Sequence, residues 1–141
     1  MEIKDRIKEG LSGKIIHWEE KTVRRIYFSV KPEDIYEVAR FLFKDLSLRF
    51  STASGVDTVQ GLEILYHFSF DQTGEMFSVR VLIKDKLNPE IQSITSLFPG
   101  AEWIEREIWE MLGIKFRGHP NLKRLLLADE WPEGKYPLRR E

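Results

Sequence analysis

The sequence predicts an α+β fold: a largely antiparallel or mixed sheet with helices on one face, plus an extended C-terminal arm. Three observations predict it. Strand patterns and helix patterns come in groups rather than in strict alternation, running helix, two strands, helix, three strands, two helices. A long two-residue alternation covers 61–84 and folds back on itself at Asp71-Gln72-Thr73-Gly74. Beyond Gly113 the chain keeps its apolar residues but loses any period.

In order, Ile3, Ile7 and Leu11 mark a short amphipathic helix that ends near Gly10. Strands are expected over 14–19 and 23–30, the second alternating Ile26, Phe28 and Val30, with a turn near Glu19-Glu20-Lys21. Pro32 suits the first position of a helix whose stripe is Ile35, Val38, Ala39 and Leu42, ending near Lys44-Asp45. A strand over 46–52 is expected to break at Ser54-Gly55. The hairpin follows, with Leu62, Ile64, Tyr66, Phe68 and Phe70 answered by Phe77, Val79, Val81 and Ile83. Asn88-Pro89 then reads as the start of another helix, burying Ile91, Ile94 and Leu97 and ending at Pro99-Gly100. The last helix buries Trp103-Ile104, Ile108 and Met111-Leu112, and Gly113 is its left-handed cap. Glu102, Arg106 and Glu110 stand four apart and read as alternating charge on an exposed edge.

Composition limits the function. The 141 residues suit one body, expected as a domain over 1–113 with the arm over 114–141. Hydrophobic residues make up 42% and charged residues 32%, a globular balance. The net charge of −1 argues against a dedicated nucleic-acid binder. The absence of cysteine excludes disulfides, thiolate-held iron–sulfur clusters and Cys-based zinc sites in this sequence. The N-terminus lacks the apolar centre of a secretory signal, and no apolar run reaches the ~20 residues that span a bilayer.

The arm holds Ile114, Phe116, Leu122, Leu125-Leu126-Leu127, Trp131, Tyr136 and Leu138, too apolar to remain solvated. Either the preceding domain or another protein covers it. Arginines interleaved with Trp and Tyr are typical of interface centres, so Arg124, Trp131, Tyr136 and Arg139 are expected in contact. Glu110 opposes the helix dipole in the last turn. It pairs either with Arg106 or with a cation brought by the arm or a partner.

Other chemistries find little support. Glu105 and Glu107 are two apart and face different sides of a helix, and His119 has no second histidine nearby. A metal-dependent hydrolase built on Glu105, Glu107 and His119 is therefore a weak rival. There is no nucleophile elbow, phosphate loop or dinucleotide fingerprint. A stand-alone RNA-binding α+β domain using Arg24, Arg25, Tyr27 and Phe28 is the stronger alternative.

One ordered set of residues carries a resemblance. Glu105-Arg106-Glu107, Glu110 and Gly113 lead to Gly118-His119-Pro120 and Lys123-Arg124-Leu125-Leu126, then Asp129-Glu130-Trp131 and Pro137-Leu138-Arg139-Arg140. The set resembles the signature of the thirty-kilodalton subunit family of respiratory complex I. That family includes the equivalent subunits of membrane-bound [NiFe]-hydrogenases and formate hydrogenlyases. Trp109, Met111 and Ala128 depart from the commonest pattern. The chain stops at Glu141, whereas many quinone-reducing members continue, which leans towards the hydrogenase branch.

The resemblance implies a non-catalytic peripheral-arm subunit of an ion-translocating oxidoreductase complex. Its partners would be the large hydrogenase-like subunit and a neighbouring Fe–S subunit. This chain would bind no cofactor, and the Fe–S clusters and any [NiFe] centre would lie in other subunits. Its place would be peripheral, on the cytoplasmic side of the membrane. Glu105, Arg106, Glu107 and Glu110 would fix the helix and arm. Phe116, His119, Pro120, Leu125 and Trp131 would line the interface, with His119-Pro120 a rigid bend.

Overall fold

The computed structural model describes residues 1–127 and 130–140. Ala128, Asp129 and Glu141, and with them the Asp129 of the signature, lie outside the described residues. The chain divides into two compact units, 1–52 with 65–81 and 53–64 with 82–141. The expected boundary at Gly113 falls inside the second unit.

The first unit opens with α1 (Ile3–Gly10), which buries Ile3 and Ile7. Strands β1 (His17–Thr22) and β2 (Arg25–Ser29) form an antiparallel hairpin with a bulge between Glu20 and Thr22. The turn falls at Val23-Arg24 rather than at the expected Glu19-Glu20-Lys21. Trp18 stacking on Phe28, ring centroids 5.4 Å apart, draws the polar Glu19 to Thr22 stretch into the ladder. Helix α2 (Ile35–Arg40) buries Ile35, Val38 and Ala39 and runs on as a π-helical turn over Phe41–Asp45. Burial alternates along β2, with Ile26 and Phe28 inward, and Phe68, Phe77 and Val79 complete the strand side of this core.

Strands β3 (Arg49–Asp57), β4 (Leu62–Phe70) and β5 (Glu75–Ile83) run through both units. The sheet order is β1-β2-β5-β4-β3, and β2 lies parallel to β5, so the sheet is mixed. The hairpin over 61–84 is as expected, with Gly74 at a left-handed φ of 76° closing its turn. β3 does not break at Ser54-Gly55. A Cβ on Gly55 would lie 2.6 Å from Leu112 Cδ1, so the glycine marks a close approach of strand and helix.

In the second unit the helix expected from Asn88 is a strand instead, β6 (Glu90–Gln92). It pairs in parallel with β7 (Lys115–Arg117) at the head of the arm. Ile91 sits opposite Phe116, and both are buried. This long-range pairing outweighs the local Asn-Pro signal. Helix α3 (Ala101–Leu112) follows, and Gly113 ends it at φ 79° as the left-handed cap.

Candidate functional site

The site is built on α3 and lies wholly within the second unit. Trp103 is 58% exposed, whereas Glu105, Arg106 and Glu110 are 2–5% exposed, which departs from the expected polarity at these positions, while Ile108 and Leu112 are buried as expected. Arg106 and Glu110 do not pair with each other across an exposed edge. Each turns to the main chain of the arm.

Arg106 donates from Nε to the Lys123 carbonyl at 3.1 Å and from Nη2 to the Arg124 carbonyl at 2.7 Å. Its guanidinium also lies 5.0 Å from the Trp103 ring centroid. Glu110 accepts the amides of Leu125 and Leu127 on Oε1, at 3.1 and 2.8 Å, and that of Leu126 on Oε2, at 2.8 Å. Three successive amides thus form a nest around one carboxylate. They supply the positive partner that a carboxylate in a last helical turn requires. Burial acts to raise the Glu110 pKa, but the three amides and the Arg124 charge hold it below the ordinary carboxylate range.

Glu105 accepts the Ser93 and Thr95 hydroxyls at 2.5 and 2.8 Å and the Ile94 amide at 2.9 Å. Burial pushes its pKa up despite these donors. Glu107 is exposed and stands apart, so the set proposed for a hydrolase does not converge. His119 Nε2 donates to the Glu102 carbonyl at 3.0 Å, and Nδ1 accepts the Asn121 amide at 2.9 Å. Both ring nitrogens are engaged and the ring is turned into the chain. Among the described residues no cluster of His, Asp and Glu has the form of a metal site.

The end of the arm is fastened to α3 and to β3. Tyr136 lies over Gly113, where an added Cβ would come within 2.6 Å of the ring. The Leu138 amide bonds the Met111 carbonyl at 3.0 Å. Arg139 spans the carbonyls of Leu112 and Lys86 at 2.7 and 2.6 Å. Asp57 accepts the Arg140 amide at 2.6 Å and pairs with Lys86 at 2.5 Å. The Lys86 ammonium and the Arg140 amide hold its carboxyl below the usual range.

The arm is therefore partly covered by its own unit. Ile114 and Phe116 are buried, and Leu125 and Tyr136 are half-buried. Leu126, Trp131 and Leu138 remain 36–63% exposed, and Gly118 and Pro120 are exposed as well. Arg124 is half-buried and donates to the Trp131 carbonyl, while Trp131 Nε1 donates to the Lys135 carbonyl at 2.7 Å. Trp109, Trp131 and Tyr136 help line a cavity of about 320 Å³ beside Glu110. Sequence reasoning missed Asp57, Lys86, Ser93 and Thr95. Asp57 stands beyond the strand expected over 46–52, so no local pattern marked it.

Two outcomes follow from this geometry. Gly113→Ala places a side chain at φ 79° and against the Tyr136 ring. Urea unfolding should show a loss of at least about 1–2 kcal/mol from the left-handed backbone, and Tyr136→Leu in the same chain should restore only the part due to ring overlap. Acid should loosen the arm. Glu110 and Asp57 have folded pKa values below their unfolded ones, so each contributes stability above its unfolded pKa and loses it as pH falls through the folded one. Glu105 has the opposite sign: its contribution is full below its unfolded pKa and lost as pH rises through the folded one. Hydrogen exchange of the 125–127 amides should quicken below the ordinary carboxylate range, and Glu110→Gln should flatten that dependence.

Comparison with known proteins bears on this arrangement. The family model described as respiratory-chain NADH dehydrogenase, 30 Kd subunit, matches residues 28–141. The C subunit of NADH-quinone oxidoreductase from Salinispora tropica is 39% identical over 119 residues, 77% of this chain and 49% of that one. The protein of the same name from Roseiflexus sp. is 41% identical over 118 residues, 79% of this chain and 66% of that one. The chain thus spans about half to two thirds of the length of these curated relatives. The longer C/D subunit of NADH-quinone oxidoreductase from Phocaeicola vulgatus is 38% identical over 82 residues, 58% of this chain and 15% of that one. A solved chain of the membrane-bound sulfane sulfur reductase, an archaeal respiratory membrane complex, shares the fold. It aligns with a TM-score of 0.82 at 23% identity, over 97% of this chain and 81% of that one. Among the described residues no helix is long and apolar enough to cross a membrane.

Proposed function

The chain belongs to the 30 kDa subunit family of respiratory-chain NADH dehydrogenase, and from that premise we propose that it is a non-catalytic subunit of an ion-translocating oxidoreductase complex. It docks on the large hydrogenase-like subunit, next to an Fe–S subunit, in the peripheral arm on the cytoplasmic side of the membrane. Redox centres belong to those partners, Fe–S clusters in either branch and [NiFe] in a hydrogenase. The double designation C/D of the Phocaeicola protein joins two subunits in one chain, which supports a large partner at close quarters.

The observation that carries this reading is the arm. Buried charges hold its backbone, while Trp103, Leu126, Trp131 and Leu138 point outward. Exposed aromatic and aliphatic anchors on a fixed support are what a desolvated interface centre requires. Glu105, Arg106, Glu110, Gly113 and Arg139 are the support. Leu126, Trp131 and, beside them, Arg124 are the contact.

Leu126→Glu leaves the Leu126 amide on Glu110 and puts a charge where a partner would cover leucine. Co-purification of the large subunit from cells should fall about tenfold or more, as for a lost ~2 kcal/mol anchor, with unchanged folding of the isolated chain. Recovery of the partner at full yield would sink the docking assignment. The RNA-binding alternative loses one of its stacking residues, because Phe28 is fully buried against Trp18.

A further inference from the structure

A second cluster lies in the first unit and is independent of the docking reading. The alternation that buries Ile26 and Phe28 places Arg25 and Tyr27 on the outer face of β2. Parallel register sets Arg25 beside Met76, Tyr27 beside Ser78 and Ser29 beside Arg80 on β5. From β4, His67 Nδ1 lies 2.7 Å from Ser78 Oγ. Arg25, Tyr27, His67, Met76 and Ser78 enclose a cavity of about 160 Å³.

The lining contains no carboxylate. Among the described residues Arg25 has no acidic partner. Two further cations flank the cavity, Lys21 Nζ at 4.7 Å and the Arg80 guanidinium at 5.7 Å from the Tyr27 ring centroid. Glu19 lies across the ladder from Tyr27. The Ser78–His67 bond leaves a spare donor whichever way it runs. If the hydroxyl donates to Nδ1, the Nε2–H is left, and if Nδ1–H donates, the hydroxyl proton is left. Ser78 is 2% exposed, so its hydroxyl is pre-positioned rather than solvated.

We propose that this cavity is an anion site for a tetrahedral phosphomonoester, with Arg25 as the charged clamp and the hydrogen-bonded Ser78–His67 pair supplying one neutral donor. Guanidinium groups pair with phosphate oxygens in a two-pronged geometry that a phosphomonoester satisfies. The volume is below the ~300 Å³ of an ordinary small-molecule site, which suits a group of a few heavy atoms. The same headgroup chemistry is offered by a soluble phosphomonoester and by phosphatidic acid at a bilayer surface.

The test is a titration of the purified full chain with inorganic phosphate, followed by the NMR signals of the His67 ring and the Ser78 amide. Ionic strength is matched with chloride. Saturable shifts at both residues are expected, with affinity lowered about tenfold by Arg25→Met, the worth of one charge-assisted contact. Ser78→Ala, which keeps Arg25, should lower it by less. Shifts that never saturate, that chloride reproduces, or that survive Arg25→Met unchanged would overturn the site. So would binding of single-stranded RNA that inorganic phosphate fails to displace. Sedimentation with vesicles containing phosphatidic acid, but not phosphatidylcholine alone, and lost in Arg25→Met, assigns the headgroup to lipid. Phosphate binding without sedimentation assigns it to a soluble ester.

Discussion

Glu110→Gln should free the segment 125–127 and lower the stability of the second unit by about 3 kcal/mol, the scale for losing charged acceptors from buried amides. The reason is the direction of the three bonds. All of them arrive from N–H groups, at 2.8 to 3.1 Å, on both carboxylate oxygens. A glutamine keeps one oxygen and turns an NH₂ towards the remaining amides, so at least one donor meets another donor. Glu105→Gln makes the proper control. Two of its three partners are hydroxyls on Ser93 and Thr95, which can rotate to accept from an amide. Burial also raises the Glu105 pKa, so neutralising it removes a desolvation cost. Its loss should be well under that of Glu110→Gln. Hydrogen exchange at Leu125, Leu126 and Leu127, alongside urea unfolding, separates the two. Equal effects of both variants, or unchanged protection at 125–127, would contradict the assigned role of Glu110.

Arg106→Met should open the preceding turn of the arm. Arg106 is 5% exposed, and its guanidinium donates to the carbonyl oxygens of Lys123 and Arg124. Removing it leaves two part-buried carbonyls without their donor, at a cost of about 1–3 kcal/mol together. Arg106→Lys should recover little, because one ammonium on a flexible stem does not reproduce the two-pronged fork. The position provides its own assay. Trypsin hydrolyses the peptide bond after Lys or Arg, so the carbonyls that Arg106 holds belong to the two scissile bonds. Cleavage after 123 and 124 should be slow in the parent chain and fast in Arg106→Met. Equal cleavage rates would show that these carbonyls are open in both.

Much of the architecture was legible because it is written in local periodicity. The hairpin over 61–84, the helices from Ile3 and Ile35, and the left-handed cap at Gly113 all follow from spacing of two or of 3.6 and from glycine chemistry. The errors arose where distant partners decide. Ile91 is drawn into a strand by Phe116, 25 residues along the chain, and no local pattern announces that. Charged residues four apart on a helix ordinarily mark a solvated face, and that expectation hid the burial of Arg106 and Glu110. Their partners are main-chain atoms 15 to 18 residues away, which carry no side-chain signature. The ordered signature includes both residues, which periodicity alone does not single out.

The hydrogen bonds of Arg106 and Glu110 to the arm go only to peptide groups, which every residue except proline offers alike. The lettering of 123–127 can therefore be rewritten while the attachment stays in place. A chain built this way can change what it presents to a changing neighbour without relearning how to fold. Exchange of this stretch between distant homologues should leave the hosts structurally sound and alter only which assembly they join.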